Sequence, residues 1–261
     1  MMRFPPPEAA GFLGMSGQKA PLNRDAANAS TPLPSSQIGL MFGGLTHLFS
    51  RRKQREKIIY RHSDSDFGVV VVADKNRARY LKFGNHIKQG GMDLNNPGAV
   101  YLEYQRAMLA IFEEKSFARC LCLGLGAGSI PKYIHQNGLC QRVDVVEINP
   151  VVIDVARSYF GLPEEVTVHN VDALDFIDGT SMRYDLLFVD LFDKAGTPIK
   201  FKALSFYRRL YGVLKTGGVV VVNMWSSDFG DLLLEEKLGS VFDEVQVVKA
   251  SRNHITICKR V

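Results

Sequence analysis

Short apolar runs mark the start of the part of the chain that can bury a core. The runs IIYRH, FGVVVVAD and ARYLKFGN, between Lys57 and His86, are rich in β-branched and aromatic residues and are separated by Asp, Ser, Asn and Gly. This pattern predicts the strands of a small antiparallel sheet. The next run, AVYLEYQRAMLAIFEE, has apolar residues at helical spacing and predicts one helix.

From Cys120 onward, strand-like runs alternate with helical patterns. Each of five apolar runs is followed by a helical segment: CLCLGL, RVDVVEI, VTVHNVD, YDLLFVD and GVVVVNMW. Gly138 and Gly161 follow two of these helices and predict their ends. The alternation predicts an α/β fold with a doubly wound, mostly parallel, Rossmann-like sheet. The last two runs, EVQVVKA and HITICKR, predict a strand pair joined near Ser251–Asn253, with one antiparallel strand at the edge.

The N-terminal residues differ in composition from the rest. Residues 1–36 are rich in Pro, Ala, Ser and Asn, which predicts disorder. The apolar segment Ile38–Phe49 precedes the basic run RRKQREK, and it either covers the folded domain as a short helix or docks on a membrane surface or a partner. No apolar run reaches the ~18–20 residues of a membrane span, and three prolines near the start argue against a signal peptide. We therefore expect a cytoplasmic protein.

The charge of the chain is concentrated at its N-terminus. The whole chain carries +5, and residues 1–61 hold nine Lys/Arg and three Asp/Glu, a net charge of +6, so the remaining residues sum to −1. A nucleic-acid enzyme carries its positive footprint on the folded domain. This distribution argues against a nucleic-acid partner.

Four cysteines bear on metal binding and on redox state: Cys120, Cys122, Cys140 and Cys258. Cys120 and Cys122 share a C-x-C spacing, but no Cys/His pair follows them at the spacing of a zinc finger. We therefore expect no metal and reduced thiols, as in other cytosolic proteins.

A glycine-rich loop follows the first strand of the alternating region. The stretch LCLGLGAGSIPKY places Gly124, Gly126 and Gly128 between a strand and a helix. Glycine lets the backbone approach a ligand closely, and the helix N-terminus adds unpaired N–H groups. Glu147 ends the next strand, 19 residues after Gly128, where an acid accepts hydrogen bonds from ribose hydroxyls. These residues predict a nucleoside site, which NAD would fit as well.

The carboxylates that follow favour a sulfonium nucleoside. Asp172, next to Ala173, ends the third strand and is placed to accept a bond from an adenine amino group. Asp190 and Asp193 follow the fourth strand, at the carboxyl edge where doubly wound sheets hold ligands. A carboxylate there attracts a cationic amine and takes its proton, and two of them suit a diamine. Tyr104, at the start of the helix that would border this pocket, is a candidate substrate residue together with Gln105.

From Lys57 to Val261 the chain resembles the spermidine synthases, or polyamine aminopropyltransferases. The resemblance rests on the N-terminal strands, on the YQ pair and the glycine loop, on VEINPVVIDVARSYF and on YDLLFVDLFD. It implies a sheet of the S-adenosylmethionine-dependent transferase type and a homo-oligomer. It also implies residue roles: Glu147 holds the ribose, Asp172 and Ala173 hold the adenine and methylthio part, Asp190 is the general base, and Asp193 helps to hold the amine.

The donor contacts depart from the family pattern. The family loop reads G-G-G-D-G, with an acid that holds the aminopropyl ammonium, and Ala127 takes the place of that acid. The family's D-S-S/T-D-P reads DLFDKAGTP, and the glutamine of the family's N-terminal sheet matches Phe67-Gly68. Three functions therefore stay open. They are aminopropyl transfer from decarboxylated S-adenosylmethionine to a polyamine such as putrescine, which is favoured; methyl transfer from S-adenosylmethionine; and nucleoside binding without catalysis.

We expect three regions along the chain. A disordered tail with a short apolar segment covers residues 1–50, and a small N-terminal β-sheet covers residues 51–98. A nucleoside-binding catalytic domain covers residues 99–261.

Overall fold

The computed structural model describes residues 55–84, 87–193, 196–225 and 233–261. These residues belong to one compact unit, Arg51–Val261. The tail and the apolar segment predicted over residues 1–50 lie outside the described residues, and the predicted boundary at residue 98 stays a prediction.

The first sheet has four antiparallel strands in chain order. They are β1 (Lys57–Asp64), β2 (Gly68–Lys75), β3 (Ala78–Phe83) and β4 (Ile87–Asp93). The sequence pattern predicts the first three. It misses β4 because IKQGGMD holds two glycines and one β-branched residue, so its pairing with β3 rather than its own propensity makes it a strand.

The second sheet has seven strands in the order β10-β11-β9-β8-β5-β6-β7. Five parallel strands form its centre and one flank: β5 (Phe117–Leu123), β6 (Cys140–Val146), β7 (Thr167–His169), β8 (Tyr184–Val189) and β9 (Leu214–Trp225). The chain ends in β10 (Glu244–Ala250) and β11 (Asn253–Lys259). β11 is antiparallel to both β9 and β10, so the antiparallel strand lies one place in from the edge, where we expected it at the edge.

Helices connect the strands of this sheet. They are α1 (Glu103–Leu109), α2 (Ile111–Glu114), α3 (Ser129–Gln136), α4 (Pro150–Phe160), α5 (Ala173–Gly179), α6 (Leu204–Val213) and α7 (Leu233–Gly239), with a 3-10 turn at Ile199–Phe201. The single helix predicted before β5 is interrupted at Ala110. The side chain of Asn149 accepts the N–H of Val151 to cap α4, and Gly161 ends α4 at a φ of 67°, as predicted.

The core occupies both faces of the seven-stranded sheet. Along β5, Cys120 and Cys122 belong to one buried cluster, and Leu121 and Leu123 belong to the other. A parallel strand covered on both faces needs such a continuous apolar run. The predicted fold class, a doubly wound and mostly parallel sheet with a small antiparallel sheet before it, is confirmed.

The cysteines differ from the expectation of reduced thiols. A disulfide joins Cys120 on β5 to Cys140 on β6, whose Cα atoms are 6.4 Å apart, while Cys122 and Cys258 are free and buried. Sequence spacing could not reveal this pair, because the pairing of two neighbouring strands brings the residues together. Within the described ranges, no cluster of His, Cys, Asp and Glu suits a metal, and no helix is long and apolar enough to cross a membrane.

Candidate active site

The glycine loop starts between the ends of two neighbouring strands. The N–H of Gly124 donates to the carbonyl of Val146, and the N–H of Asp190 donates to the carbonyl of Leu123, each at 2.9 Å. Gly124 has a φ of +91°, and a Cβ there would collide with the carbonyl oxygen of Asp190. Only glycine fits this position, so the loop lies directly against the residue predicted to be the base.

The loop closes onto α3 and is held by Glu147. Gly128 precedes the first residue of α3 with a φ of +73°. The carboxylate of Glu147 accepts the N–H of Leu125 at 3.0 Å and the N–H of Asn149 at 2.9 Å, so it joins the loop to the start of α4. Burial raises the pKa of Glu147, and bonds from backbone N–H groups, including that of Gly126, oppose this rise.

Asp172 lies at the start of α5, where its Oδ1 accepts the N–H of Leu174 at 2.8 Å. Its Oδ2 accepts a bond from Lys200, on the 3-10 turn, at 2.5 Å. Burial tends to raise the pKa of Asp172, but the bonds from Lys200 and Leu174 outweigh this and hold it below its usual value. Ala173 is buried at the first position of α5. Lys200 therefore already holds one oxygen of the carboxylate that is predicted to accept from adenine.

Asp190 directly follows β8, and each of its carboxylate oxygens accepts a hydrogen bond from a side chain. Asn223 donates from Nδ2 to Oδ1 at 2.7 Å, and the hydroxyl of Tyr104 donates to Oδ2 at 3.1 Å. Burial raises the pKa of Asp190, and the bonds from Asn223 and Tyr104 oppose the rise. A carboxylate with a raised pKa holds a proton more strongly than an exposed one, which is what a general base requires.

The remaining predicted residues have distinct environments. Gln105 is buried beside the site and donates from Nε2 to the hydroxyl of Tyr104 at 3.3 Å. Asp193 is exposed, and its N–H donates to the carbonyl of Gly196 at 2.9 Å, in a turn that follows Asp190. The structure therefore brings Tyr104 and Gln105 to Asp190 and leaves Asp193 at the solvent side.

A cavity of ≈ 110 Å³ opens near the carboxyl ends of β8 and β9. Its lining includes Leu191, Asn223, Met224, Lys202 and Lys237. The two lysines repel a cationic amine. The half-buried carboxylate of Asp190 is therefore a better counter-charge for a diamine than the lining of this cavity.

The N-terminal sheet contributes β4 to the site. A Cβ on Gly126 would lie 3.2 Å from the carbonyl oxygen of Gln89, and a Cβ on Gly90 would collide with that of Ala127. Ala127, in place of the family acid, is buried under this strand. Gln89, on β4, is therefore a glutamine that lies beside the loop, while the match of the family glutamine to Phe67-Gly68 stays a prediction.

Sequence reasoning missed three residues of the site: Gln89, Lys200 and Asn223. Asn223 had a readable signal, since it is a single polar residue near the end of the apolar run GVVVVNMW. Lys200 and Gln89 had none, because their contacts depend on a turn and a strand that the pattern did not predict.

The fold is that of the S-adenosylmethionine-dependent transferases. A probable spermidine synthase from Corynebacterium glutamicum has the same fold, with a TM-score of 0.65 at 22% identity over 77% of this chain and 79% of that one. Residues 103–239 match the spermine/spermidine synthase domain. The chain belongs to the spermine/spermidine synthase family.

Two similar proteins differ in the activity that their names state. A polyamine aminopropyltransferase of Neisseria meningitidis serogroup A is 30% identical over 188 residues, which cover 70% of this chain and 72% of the relative. The eEF1A lysine and N-terminal methyltransferase of Homo sapiens is 31% identical over 234 residues, which cover 82% of this chain and 32% of the relative. The second protein is therefore about three times as long as the part that this chain matches.

Proposed function

We propose that the protein transfers an aminopropyl group from decarboxylated S-adenosylmethionine to a polyamine such as putrescine. The observation that carries the proposal is the position of Asp190: it is half-buried, it contacts the glycine loop, and its partial burial raises its pKa. The names of the bacterial relatives support the same activity.

In this proposal, the chain prepares an amine for attack. Asp190 takes a proton from the substrate ammonium, which frees the nitrogen lone pair. The donor supplies a carbon activated by its sulfonium; the C–N bond forms there, the C–S bond breaks, and the thioether leaves as a neutral group. Glu147 would hold the ribose, and Asp172 with Ala173 would hold the adenine. Asp193, Tyr104 and Gln105 would hold the amine.

Methyl transfer from S-adenosylmethionine is the second candidate, and Ala127 favours it. A carboxylate at this position would hold the ammonium of a decarboxylated donor and repel the carboxylate of S-adenosylmethionine. Ala127 is uncharged and buried against Gly90, so the site lacks that discrimination. The similarity to a protein-lysine methyltransferase supports this candidate as well.

One assay separates the candidates. The purified protein is incubated with each donor against putrescine, spermidine and a protein extract, and the nucleoside product is identified by mass spectrometry. Methylthioadenosine from the decarboxylated donor supports aminopropyl transfer, and S-adenosylhomocysteine supports methyl transfer. Either product should disappear in Asp190→Asn. Nucleoside binding in a thermal shift without either product would indicate a binding module and overturn both activities.

The proposal also covers the oligomeric state of the protein, its location in the cell and its partners. We expect a homo-oligomer in the cytoplasm with no nucleic-acid partner, which light scattering after gel filtration and cell fractionation would test. The Cys120–Cys140 disulfide is more typical of an oxidising compartment, so fractionation is the decisive measurement for location.

A further inference from the structure

Two asparagines and Asp190 form a chain of side-chain hydrogen bonds. Asn253, the first residue of β11, donates from Nδ2 to Oδ1 of Asn223 at 2.8 Å. Asn223, on the neighbouring β9, donates from Nδ2 to Oδ1 of Asp190 at 2.7 Å. Asn223 is buried, with 3% of its surface exposed, so water does not replace either bond readily.

The direction of these two hydrogen bonds affects the protonation of Asp190. The two ends of an asparagine amide have nearly the same shape, but one donates and the other accepts. If Asn223 turned over, its oxygen would face an oxygen of Asp190, and two acceptors in contact are stable only when the carboxyl carries a proton. The bond from Asn253 to the oxygen of Asn223 favours the orientation in which the amino group faces Asp190.

We propose that Asn253 is a positioning residue: by donating to Asn223 it keeps the amino group of Asn223 turned towards Asp190, and so keeps Asp190 an unprotonated acceptor. The inference rests on the proposed role of Asp190 as general base. Asn253 would not touch the substrate.

Among the described residues, the titratable side chains that interact with Asp190 are Tyr104 and Cys122, and neither competes with this effect near neutral pH. Burial and the charge of Asp190 raise the pKa of Tyr104 on α1, so Tyr104 stays a neutral donor. Burial, Asp190 and Asp144 raise the pKa of Cys122 on β5, so its thiol stays protonated. His254 follows Asn253, but strand alternation directs its side chain to the other face of β11.

The test compares the titration of Asp190 with and without the Asn253 amide. The carboxyl carbon of Asp190 is followed by ¹³C NMR against pH in the full chain, in wild type, Asn253→Leu and Asn253→Ala. Leucine has nearly the size of asparagine and no donor, and alanine serves if leucine does not fold. We expect both variants to raise the pKa of Asp190 by about half a unit to one unit and to move the acidic limb of kcat/KM to higher pH by the same amount.

A double-mutant cycle separates positioning from a structural effect on the hairpin. If Asn253 acts through Asn223, Asn253→Leu should add no further shift in an Asn223→Leu background. Lys249→Leu, an exposed change on the neighbouring strand β10, is the matched control and should leave the titration as in wild type. An unchanged titration in Asn253→Leu or Asn253→Ala, or an additive double variant, overturns the inference. Absence of turnover in wild type overturns the proposed function instead, and the NMR titration still decides the role of Asn253.

Discussion

The hydroxyl of Tyr104 donates a hydrogen bond to Oδ2 of Asp190 across 3.1 Å. Tyr104 lies on α1, between the two sheets in the sequence, and Asp190 follows a central strand of the second sheet. Together with Asn223, this bond gives each oxygen of a half-buried carboxylate one donor. Among the residues that the structure describes, the donors to its two oxygens are both neutral groups.

Tyr104→Phe should shift the pH range over which Asp190 is ionised and can act as a base. The change removes one of the two donors to the carboxylate, so the pKa of Asp190 should rise and the acidic limb of the rate profile should move to higher pH. A hydrogen bond to a charged group is worth about 1.5 kcal/mol, so we expect the acidic limb to move by about one pH unit. Tyr133→Phe, on α3, is the control. A rate profile identical to wild type would show that Tyr104 does not act on Asp190.

Asp190→Asn should abolish turnover and stabilise the fold at neutral pH. The pKa of Asp190 is higher in the folded chain than in the unfolded one, so its ionisation weakens the fold as pH rises through the folded pKa. Removing the charge should raise the free energy of unfolding at pH 7 by about 1 kcal/mol, or ~2–4 °C in Tm. The gain should vanish below the unfolded pKa of about 4.

Calorimetry at pH 7 and pH 4 checks this dependence. Asp193→Asn, at an exposed position, is the control and should change both values less than Asp190→Asn does. A lower Tm for Asp190→Asn at pH 7 would mean that the hydrogen bonds outweigh the cost of burying the charge.

Asp172 has two roles that different substitutions separate. Asp172→Asn keeps a side-chain oxygen that caps α5, while Asp172→Ala loses the cap and should cost about 1 kcal/mol in the free energy of unfolding. Both should weaken binding of methylthioadenosine, because neither keeps the carboxylate proposed to accept from adenine. Denaturation gives the stabilities and titration calorimetry gives the affinities. Wild-type affinity in Asp172→Asn would remove Asp172 from the nucleoside site.

The Cys120–Cys140 disulfide predicts a thiol count. The chain has four cysteines, so the unfolded oxidised protein should react with two equivalents of thiol reagent and the reduced protein with four. Cys140→Ser should lower the free energy of unfolding by about 3 kcal/mol, the value expected for a loop of this length. Cys258→Ser is a control outside the bridge. Four reactive thiols without reductant would contradict the bridge.

The sequence predicts those parts of the molecule that depend on local pattern. The alternation of strands and helices, the glycine loop, Glu147 and the Gly161 helix end are each encoded within a few residues of themselves. Other features depend on which strands become neighbours, and a short stretch of sequence does not reveal this. They are the position of β11 in the sheet, the Cys120–Cys140 disulfide and the hydrogen bonds of Asn223. The sequence pattern therefore predicted that Asp190 follows a strand, but it could not predict which side chains surround Asp190.

The approach of β4 to the glycine loop also constrains how the chain can evolve. As long as residue 127 carries a Cβ, residue 90 has room only for hydrogen, so glycine there is compulsory. Substitutions at the two positions are therefore not independent, and the effect of a mutation at one depends on the amino acid already fixed at the other. A larger side chain at residue 90 would require a change in the glycine loop that lies against it. The sequence of the small sheet and the sequence of the nucleoside-binding loop therefore constrain each other.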